Sequence, residues 1–76
     1  MSSKVVIYPG TFDPITNGHI SVVSRALKIF DRMVIAILNN PNKLPLFSLE
    51  ERTQMIRDVL KDQRHVEVDS FNGLLV

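Results

Sequence analysis

The middle of the chain contains six consecutive apolar residues, Met33-Val34-Ile35-Ala36-Ile37-Leu38. The run is too short for a core helix and fits a β-strand that is covered on both faces. Strands covered in this way are typical of parallel sheets, in which helices pack on the sheet. The run therefore predicts an α/β fold.

The segments on either side of this run complete a β-α-β-α-β pattern. A first, buried strand is predicted at residues 5–8, a β-branched and aromatic run closed by Pro9 and Gly10. A third is predicted at residues 66–69, where apolar and acidic residues alternate, nearer an edge of the sheet. Strands separated by helices imply right-handed crossovers and parallel pairing. We therefore expect the amino-terminal half of a Rossmann-like, doubly wound parallel sheet.

Two amphipathic helices are predicted between the strands. The first carries one apolar stripe at helical spacing, formed by Ile20, Val23, Leu27 and Phe30. The second begins at Ser48-Leu49-Glu50-Glu51, which has the S-x-x-E form of a capping box. Its inner side is predicted to carry the apolar residues Leu49, Ile56, Val59 and Leu60.

The composition excludes several classes of protein. The chain has 76 residues and a net charge of +1, whereas proteins that bind nucleic acid usually carry a clustered basic excess. The lack of cysteine excludes disulfides, thiolate metal sites and a cysteine nucleophile. Hydrophobic residues make up 45%, too many for a disordered chain, and the longest apolar runs, of about six residues, cannot span a membrane. We expect a cytoplasmic protein without nucleic-acid or membrane partners.

The most informative stretch follows the first predicted strand and reads Tyr8-Pro9-Gly10-Thr11-Phe12-Asp13-Pro14-Ile15-Thr16-Asn17-Gly18-His19. In doubly wound folds, ligands bind beyond the carboxyl ends of the strands, where this loop is expected. Gly10 lets backbone N–H groups approach a bulky anion, and Gly18 allows a phosphate to reach the helix N-terminus. From the first helical turn, His19 could donate a hydrogen bond to a phosphoryl oxygen.

These residues leave two interpretations of the loop. It has neither the G-x-x-x-x-G-K-[ST] motif of a P-loop nor the G-x-G-x-x-G fingerprint of a dinucleotide site. Its glycines and histidine, with the hydroxyl of Thr11, favour an anion or nucleotide site. The alternative is a structural loop, in which Asp13 forms a turn and His19 is a partly exposed residue of the first helical turn.

The same residues resemble a known signature. Thr16-Asn17-Gly18-His19 is similar to the T/H-x-G-H motif of the nucleotidylyltransferase superfamily. The longer stretch, residues 8–19, resembles the bacterial phosphopantetheine adenylyltransferases and has the expected strand–loop–helix setting. The resemblance continues through residues 39–43, 47–52 and 66–68, and so covers nearly the whole chain.

The resemblance implies an enzyme of coenzyme A biosynthesis. Members of this family transfer AMP from ATP to 4′-phosphopantetheine, giving dephospho-coenzyme A and pyrophosphate, and Mg²⁺ accompanies the ATP. The implied chemistry is a direct in-line attack on the α-phosphorus, for which the protein supplies positioning and charge neutralisation. The family forms homohexamers, so the resemblance also implies a homo-oligomer that binds ATP, 4′-phosphopantetheine, and dephospho-coenzyme A or coenzyme A.

The resemblance also implies roles for residues near ATP. His19 would stabilise the transition state at the α-phosphate. Gly18 and the backbone of Phe12 would contact ATP, and Thr11 would lie beside it. No residue of the chain is assigned to a metal ion.

A second group of residues is implied for the acceptor. Thr11 would bind its phosphate, and Lys43 would neutralise that phosphate during the attack. Leu75, together with Leu74, would form an apolar wall around the pantetheine arm. The roles of Lys43 and of the two leucines have simpler alternatives. Lys43 could be a solvated loop lysine, and the leucines could begin a core helix.

Three other functions stay open. A related nucleotidylyltransferase would use nicotinamide mononucleotide, or glycerol phosphate with CTP, as its substrates. A non-catalytic half-domain would bind nucleotide or pair with another chain. A flavodoxin-like redox module would need several hydroxyl groups in its first loop, and only Thr11 and Thr16 are available there.

The family domain is about twice the length of this chain, in keeping with ordinary domain sizes. The family pattern also has a second signature, an I-S-S-[ST] turn, and an arginine-containing segment, and neither is found in residues 1–76. We therefore expect the chain to be the amino-terminal part of a single nucleotidylyltransferase domain. Such a part would be poorly active by itself and prone to associate.

Overall fold

The computed structural model describes residues 4–40 and 44–72. These residues form alternating strands and helices: β1 (Val5–Gly10), α1 (Asn17–Ala26), β2 (Arg32–Asn39), α2 (Leu49–Val59) and β3 (Val66–Asn72). The strands make one parallel sheet in the order β1-β2-β3. The predicted β-α-β-α-β order and the parallel pairing are confirmed, and β3 is an edge strand of this sheet, as predicted.

Both helices begin at a capping box, in which a side chain and a backbone N–H are satisfied reciprocally. At α2, the Ser48 hydroxyl accepts from the N–H of Glu51, and the Glu51 carboxylate accepts from the N–H of Ser48. This confirms the S-x-x-E prediction. At α1, Thr16 and His19 exchange the equivalent contacts, with a histidine in the place of the usual Glu or Gln. The histidine version of the box was not predicted.

The core lies on one face of the sheet. Alternate residues of a strand point to the same face, so Met33, Ile35 and Ile37 of β2 share it. All three are buried, and they belong to one apolar cluster with Val23 of α1 and Ile56 of α2. Both helices therefore cover the same side of the sheet, as expected when two right-handed crossovers run in the same direction.

The opposite face of the sheet has no helix over it among the elements described above. Val5 and Ile7 of β1 are 53% and 65% exposed, and Phe71 of β3 is 47% exposed. The prediction that β1 is buried is therefore wrong for its outward-facing residues. On β2 the outward-facing Ala36 is buried and Val34 and Leu38 are half-buried, although no described helix covers this face. The physical reason is the shared direction of the two crossovers, which places both helices on one side.

The strands are longer than predicted. β1 includes Pro9 and Gly10, which were expected to close it. Pro9 is tolerated there because β1 is an edge strand, where a residue without an N–H need not interrupt the ladder. β3 continues to Asn72, three residues beyond its predicted end.

The helices also differ from the predicted apolar stripes. α1 ends at Ala26, so Phe30 lies after the helix and not on its stripe. On α2, Val59 is exposed although an inner position was predicted for it. Arg52 instead occupies a buried position one turn before Ile56. Neither helix is long and apolar enough to cross a membrane, a finding that covers only the residues the structure describes.

We expect the uncovered face to cause self-association of the chain, because contiguous exposed apolar surface favours contact between molecules. Ile7→Lys should reduce the concentration-dependent association seen by sedimentation velocity. It should change the free energy of unfolding by no more than about 0.5 kcal/mol, because the side chain is exposed. Ile29→Lys is the matched control, since Ile29 is 69% exposed but lies outside the sheet. Equal effects of both substitutions would contradict a role for this face.

Candidate functional site

The segments that follow the strands meet at the carboxyl edge of the sheet, as parallel strands require. A carboxylate joins two of them. Asp13, in the loop after β1, accepts hydrogen bonds from the N–H groups of Leu46 (2.7 Å) and Phe47 (2.8 Å). The loop after β1 is thereby held against the segment that leads into α2. Asp13 does more than form a local turn, because its partners lie 33 and 34 residues away.

Phe12 turns its side chain into the core and shapes the loop. The residue is 2% exposed and has a φ of +50°, a left-handed conformation that is uncommon outside glycine. Its ring packs over Gly10, where an added Cβ would lie 2.9 Å from Phe12 Cε2. Gly10 is therefore required by the close approach of this ring. Thr11, the residue between them, is exposed.

The imidazole of His19 packs against this aromatic group. The ring centroids of Phe12 and His19 are 4.7 Å apart, and those of Tyr8 and Phe12 are 5.2 Å apart with the rings nearly perpendicular. Tyr8 lies 6.1 Å from His19 by the same measure. Contacts with two aromatic rings restrict the orientation of the imidazole, which is only half-buried.

A hydrogen bond determines which nitrogen of His19 carries the proton. Nδ1 accepts the backbone N–H of Thr16 at 2.9 Å and lies 3.1 Å from its hydroxyl oxygen. A nitrogen that accepts an N–H cannot itself be protonated, so the neutral ring holds its proton on Nε2. No group within residues 4–40 and 44–72 is hydrogen-bonded to Nε2. This N–H is thus available to a ligand.

The N-terminus of α1 offers further donors. The N–H of His19 donates to the Thr16 hydroxyl and that of Ile20 to the Thr16 carbonyl. The N–H groups of Asn17 and Gly18 have no intrahelical acceptor at these positions. The first turn of α1 contains no acidic residue, so the positive end of the helix dipole is not neutralised there. This end of α1 is suited to an anion.

Arg52 was not among the site residues predicted from the sequence. The structure buries its side chain and directs its guanidinium to carbonyl groups of the loop after β1, the end of β2 and the segment before α2. The available signal was its spacing. Arg52 lies three residues after Leu49 and four before Ile56, and therefore on the apolar stripe.

The structure brings together Thr11, Phe12, Gly18 and His19 in the loop after β1 and the first turn of α1. Lys43, Leu74 and Leu75 lie outside the described residues. A separate open groove of about 340 Å³ lies between α2 and the end of β3, and none of the predicted site residues lines it. The candidate site is therefore the segment from β1 into α1.

Comparison with known proteins then places the chain. The model of the cytidylyltransferase-like family matches residues 7–76. The chain belongs to this family. The resemblance carried by residues 8–19 to nucleotidylyltransferases is thereby confirmed, and the candidate site lies almost entirely within the matched region.

Relatives of this cytidylyltransferase-like chain include two bacterial phosphopantetheine adenylyltransferases. It is 53% identical over 73 residues to the protein of Carboxydothermus hydrogenoformans, covering 96% of this chain and 45% of the relative. It is 56% identical over 73 residues to the protein of Clostridium tetani, covering 96% of this chain and 46% of the relative. The chain thus spans about half the length of the curated relatives it matches.

Solved structures of other proteins show the same fold. The NadR protein in complex with NAD and AMP-PNP superposes with a TM-score of 0.80 at 23% identity, over 99% of this chain and 22% of that one. A bifunctional NMN adenylyltransferase/ADP ribose pyrophosphatase from Francisella tularensis superposes with a TM-score of 0.81 at 28% identity, over 95% and 23%. These likenesses confirm the Rossmann-like α/β fold.

Proposed function

We propose that this protein is a phosphopantetheine adenylyltransferase, which transfers AMP from ATP to 4′-phosphopantetheine and forms dephospho-coenzyme A and pyrophosphate. The observation that carries the proposal is the oriented imidazole of His19, whose Nε2 lies in the same helical turn as the N–H groups of Asn17 and Gly18, which have no intrahelical acceptor. The choice of acceptor is supported by relatives of 50% identity or more that bear this name.

The proposed reaction is an in-line displacement at the α-phosphorus of ATP. An oxygen of the acceptor phosphate forms a bond to this phosphorus, the bond to the bridging oxygen breaks, and pyrophosphate leaves with the electron pair. A phosphate monoester has a second pKa of about 6 and is largely deprotonated at neutral pH, so it needs no general base from the protein. The protein would supply orientation and neutralise the charge that grows on the α-phosphate.

The residues at the start of α1 would provide this stabilisation. His19 would donate its Nε2 proton to a non-bridging oxygen of the α-phosphate, and the N–H of Gly18 would donate to a phosphate oxygen as well. Thr11, which is exposed, would bind the acceptor phosphate beside ATP. The N–H of Phe12 would contact the nucleotide.

The acceptor side of the site rests on the family resemblance. Lys43 would neutralise the acceptor phosphate, and an ammonium group suits that task because it presents a compact positive charge. Leu74 and Leu75 would line the pantetheine arm. Coenzyme A, which shares this arm, would be recognised in the same way.

Magnesium is proposed to arrive with ATP as part of the substrate. In the two described segments, no three His, Asp or Glu side chains come together in a way that could hold a metal ion. The described donor set therefore does not fit a resident metal site, and no step above depends on one.

The assembly and location form part of the same proposal. The family resemblance implies a homohexamer, and we propose this state for the protein. The substrates and product are small metabolites, so we propose that the protein works in the cytoplasm.

A second candidate is adenylyl transfer to nicotinamide mononucleotide, because two of the superposed structures are of a bifunctional NMN adenylyltransferase/ADP ribose pyrophosphatase from Francisella tularensis. Their identity to this chain is 26% and 28%, about half that of the phosphopantetheine enzymes. We expect ATP with 4′-phosphopantetheine to give a kcat/KM at least about 100-fold above that of ATP with nicotinamide mononucleotide or of CTP with glycerol 3-phosphate. Release of pyrophosphate by the purified protein measures this preference.

The outcomes of that experiment separate the open functions. Preference for nicotinamide mononucleotide or for CTP would reject the proposal in favour of a related nucleotidylyltransferase. Calorimetric binding of ATP with no release of pyrophosphate from any acceptor would favour a non-catalytic nucleotide-binding protein. A reaction without enzyme measures the background.

A further inference from the structure

Arg52 is the one charged side chain that is fully buried among the residues described, with 1% of its surface exposed. All three nitrogens of its guanidinium, Nε, Nη1 and Nη2, donate hydrogen bonds. The acceptors are four backbone carbonyl oxygens and one amide side chain: Phe47 (3.1 Å), Ser48 (3.4 Å), Thr11 (3.2 Å), Leu38 (3.4 Å) and Asn39 Oδ1 (2.9 Å). One side chain thus ties together the ends of β1 and β2 and the start of α2.

No carboxylate of residues 4–40 and 44–72 forms an ion pair with this buried cation. The ion pair found within residues 4–40 and 44–72 joins Arg32 to Glu67 and does not involve Arg52. Asp13 holds the same loop, but its two oxygens accept from backbone N–H groups of Leu46 and Phe47. Burying a cation without a counter-ion is unfavourable unless its hydrogen bonds are satisfied, and an anion nearby lowers the cost further. The set of oxygen acceptors satisfies the hydrogen bonds, and an anionic ligand in the adjoining site would be attracted by the remaining charge.

The contact with Thr11 also sets the direction of a donor in the candidate site. The C=O and the following N–H of a trans peptide point in opposite directions. Because the Thr11 carbonyl points to Arg52 Nη1, the N–H of Phe12 points away from it. This N–H has no acceptor in the parts of the chain that the structure describes. The peptide is therefore oriented with a free donor on the side opposite Arg52.

We propose that Arg52 is a positioning residue of the phosphate site. It holds the Thr11–Phe12 peptide so that the Phe12 N–H faces a nucleotide phosphate, and its unneutralised charge favours an anion there. This inference rests on the proposed function for the identity of the nucleotide, but the site it describes would recognise any polyphosphate. A purely structural role, in which Arg52 only joins the loops, is the alternative.

The test compares ligands that differ in phosphate. Affinities for ATP, inorganic pyrophosphate and adenosine are measured by calorimetry for the unmodified protein, Arg52→Met and Arg52→Lys. We expect Arg52→Met to weaken the binding of ATP and pyrophosphate about tenfold or more, because the Phe12 N–H is no longer held toward a phosphate and the nearby positive charge is removed. The binding of adenosine should change less than about twofold. Arg52→Lys keeps the charge but not the planar fork and should recover part of the loss. Arg57→Met is the matched control, since Arg57 is an exposed arginine of the same helix.

A second measurement needs no substitution. The backbone amide resonance of Phe12 is followed by NMR during titration of the unmodified protein with pyrophosphate. A large shift of this amide is expected, together with the phosphate-selective loss in Arg52→Met. The inference would be overturned if Arg52→Met weakened the binding of ATP and of adenosine equally. It would also be overturned if the Phe12 amide did not shift while other amides of the loop did. Either result would leave Arg52 as a structural residue.

The two proposals fail in different ways. If adenylyl transfer is wrong but Arg52 positions the site, pyrophosphate still binds and its affinity still depends on Arg52. If adenylyl transfer is right and Arg52 does not position the site, the protein turns over and Arg52→Met shows no selective loss for phosphate. Absence of any binding of ATP or pyrophosphate to the unmodified protein overturns both.

Discussion

Replacement of His19 by alanine is expected to lower turnover about 100- to 1000-fold, the usual effect of removing one preorganised donor to a developing oxyanion. The affinity for ATP should change less than about threefold, because the contact is proposed to strengthen only as charge grows on the α-phosphate. Turnover is measured as pyrophosphate release from ATP and 4′-phosphopantetheine in the full-length protein, and affinity by calorimetry. Unchanged turnover would remove His19 from the catalytic machinery.

The substitution also has a structural effect that must be separated from the catalytic one. His19 Nδ1 accepts the N–H of Thr16, so His19→Ala leaves one half of the α1 capping box unsatisfied. Loss of a cap contact typically costs about 1 kcal/mol of the free energy of unfolding. His19→Gln restores an acceptor at the position where Gln normally completes a capping box. We expect it to regain stability, measured by urea unfolding, without regaining turnover.

The second histidine of the chain provides the control. His65 is exposed and lies between α2 and β3, away from the capping box and the aromatic group. His65→Ala should therefore leave both turnover and stability unchanged. A loss of turnover in His65→Ala as large as that in His19→Ala would indicate a general sensitivity to histidine removal and would contradict the assigned role.

The elements of this fold were predictable because their signals are local. The apolar run of β2 and the S-x-x-E sequence before α2 lie within a few residues of the structures that they predict, and both were confirmed. The side of the sheet that the helices cover was not predictable in this way. It depends on the order of the strands, and that order is decided by contacts between segments far apart in the chain.

In the candidate site, too, local features were predictable and long-range contacts were not. Gly10, Gly18 and His19 were identified because glycines and a histidine at a strand–helix junction indicate an anion or nucleotide site. Arg52 was not, since a charged residue on a helix is ordinarily solvated. Its burial depends on Thr11, which precedes it by 41 residues. Only the assembled loops provide the acceptors that make its burial possible.

Gly18 allows a test in which stability and binding are expected to move in opposite directions. Gly18 is the second residue of α1, and its backbone has no positive φ that would require glycine. An added Cβ would have only the Thr16 hydroxyl oxygen within 4 Å, at 3.5 Å, which is an ordinary contact. Alanine favours a helix by up to about 1 kcal/mol over glycine. Gly18→Ala should therefore raise the free energy of unfolding, measured with urea, by about 0.5 kcal/mol or more.

The same substitution is expected to weaken ATP binding about 10- to 100-fold. The added methyl group would occupy open space at the helix N-terminus and hold a phosphate beyond hydrogen-bond distance of the Gly18 N–H. Hydrogen bonds to charged groups contribute about 1.5–3 kcal/mol, which corresponds to this range of affinity. Ser24→Ala is the control, because Ser24 is exposed on the same helix away from the first turn. A protein that gains stability and keeps its ATP affinity would show that no phosphate approaches Gly18. A protein that loses stability would show that the space beside Gly18 is needed by the fold itself.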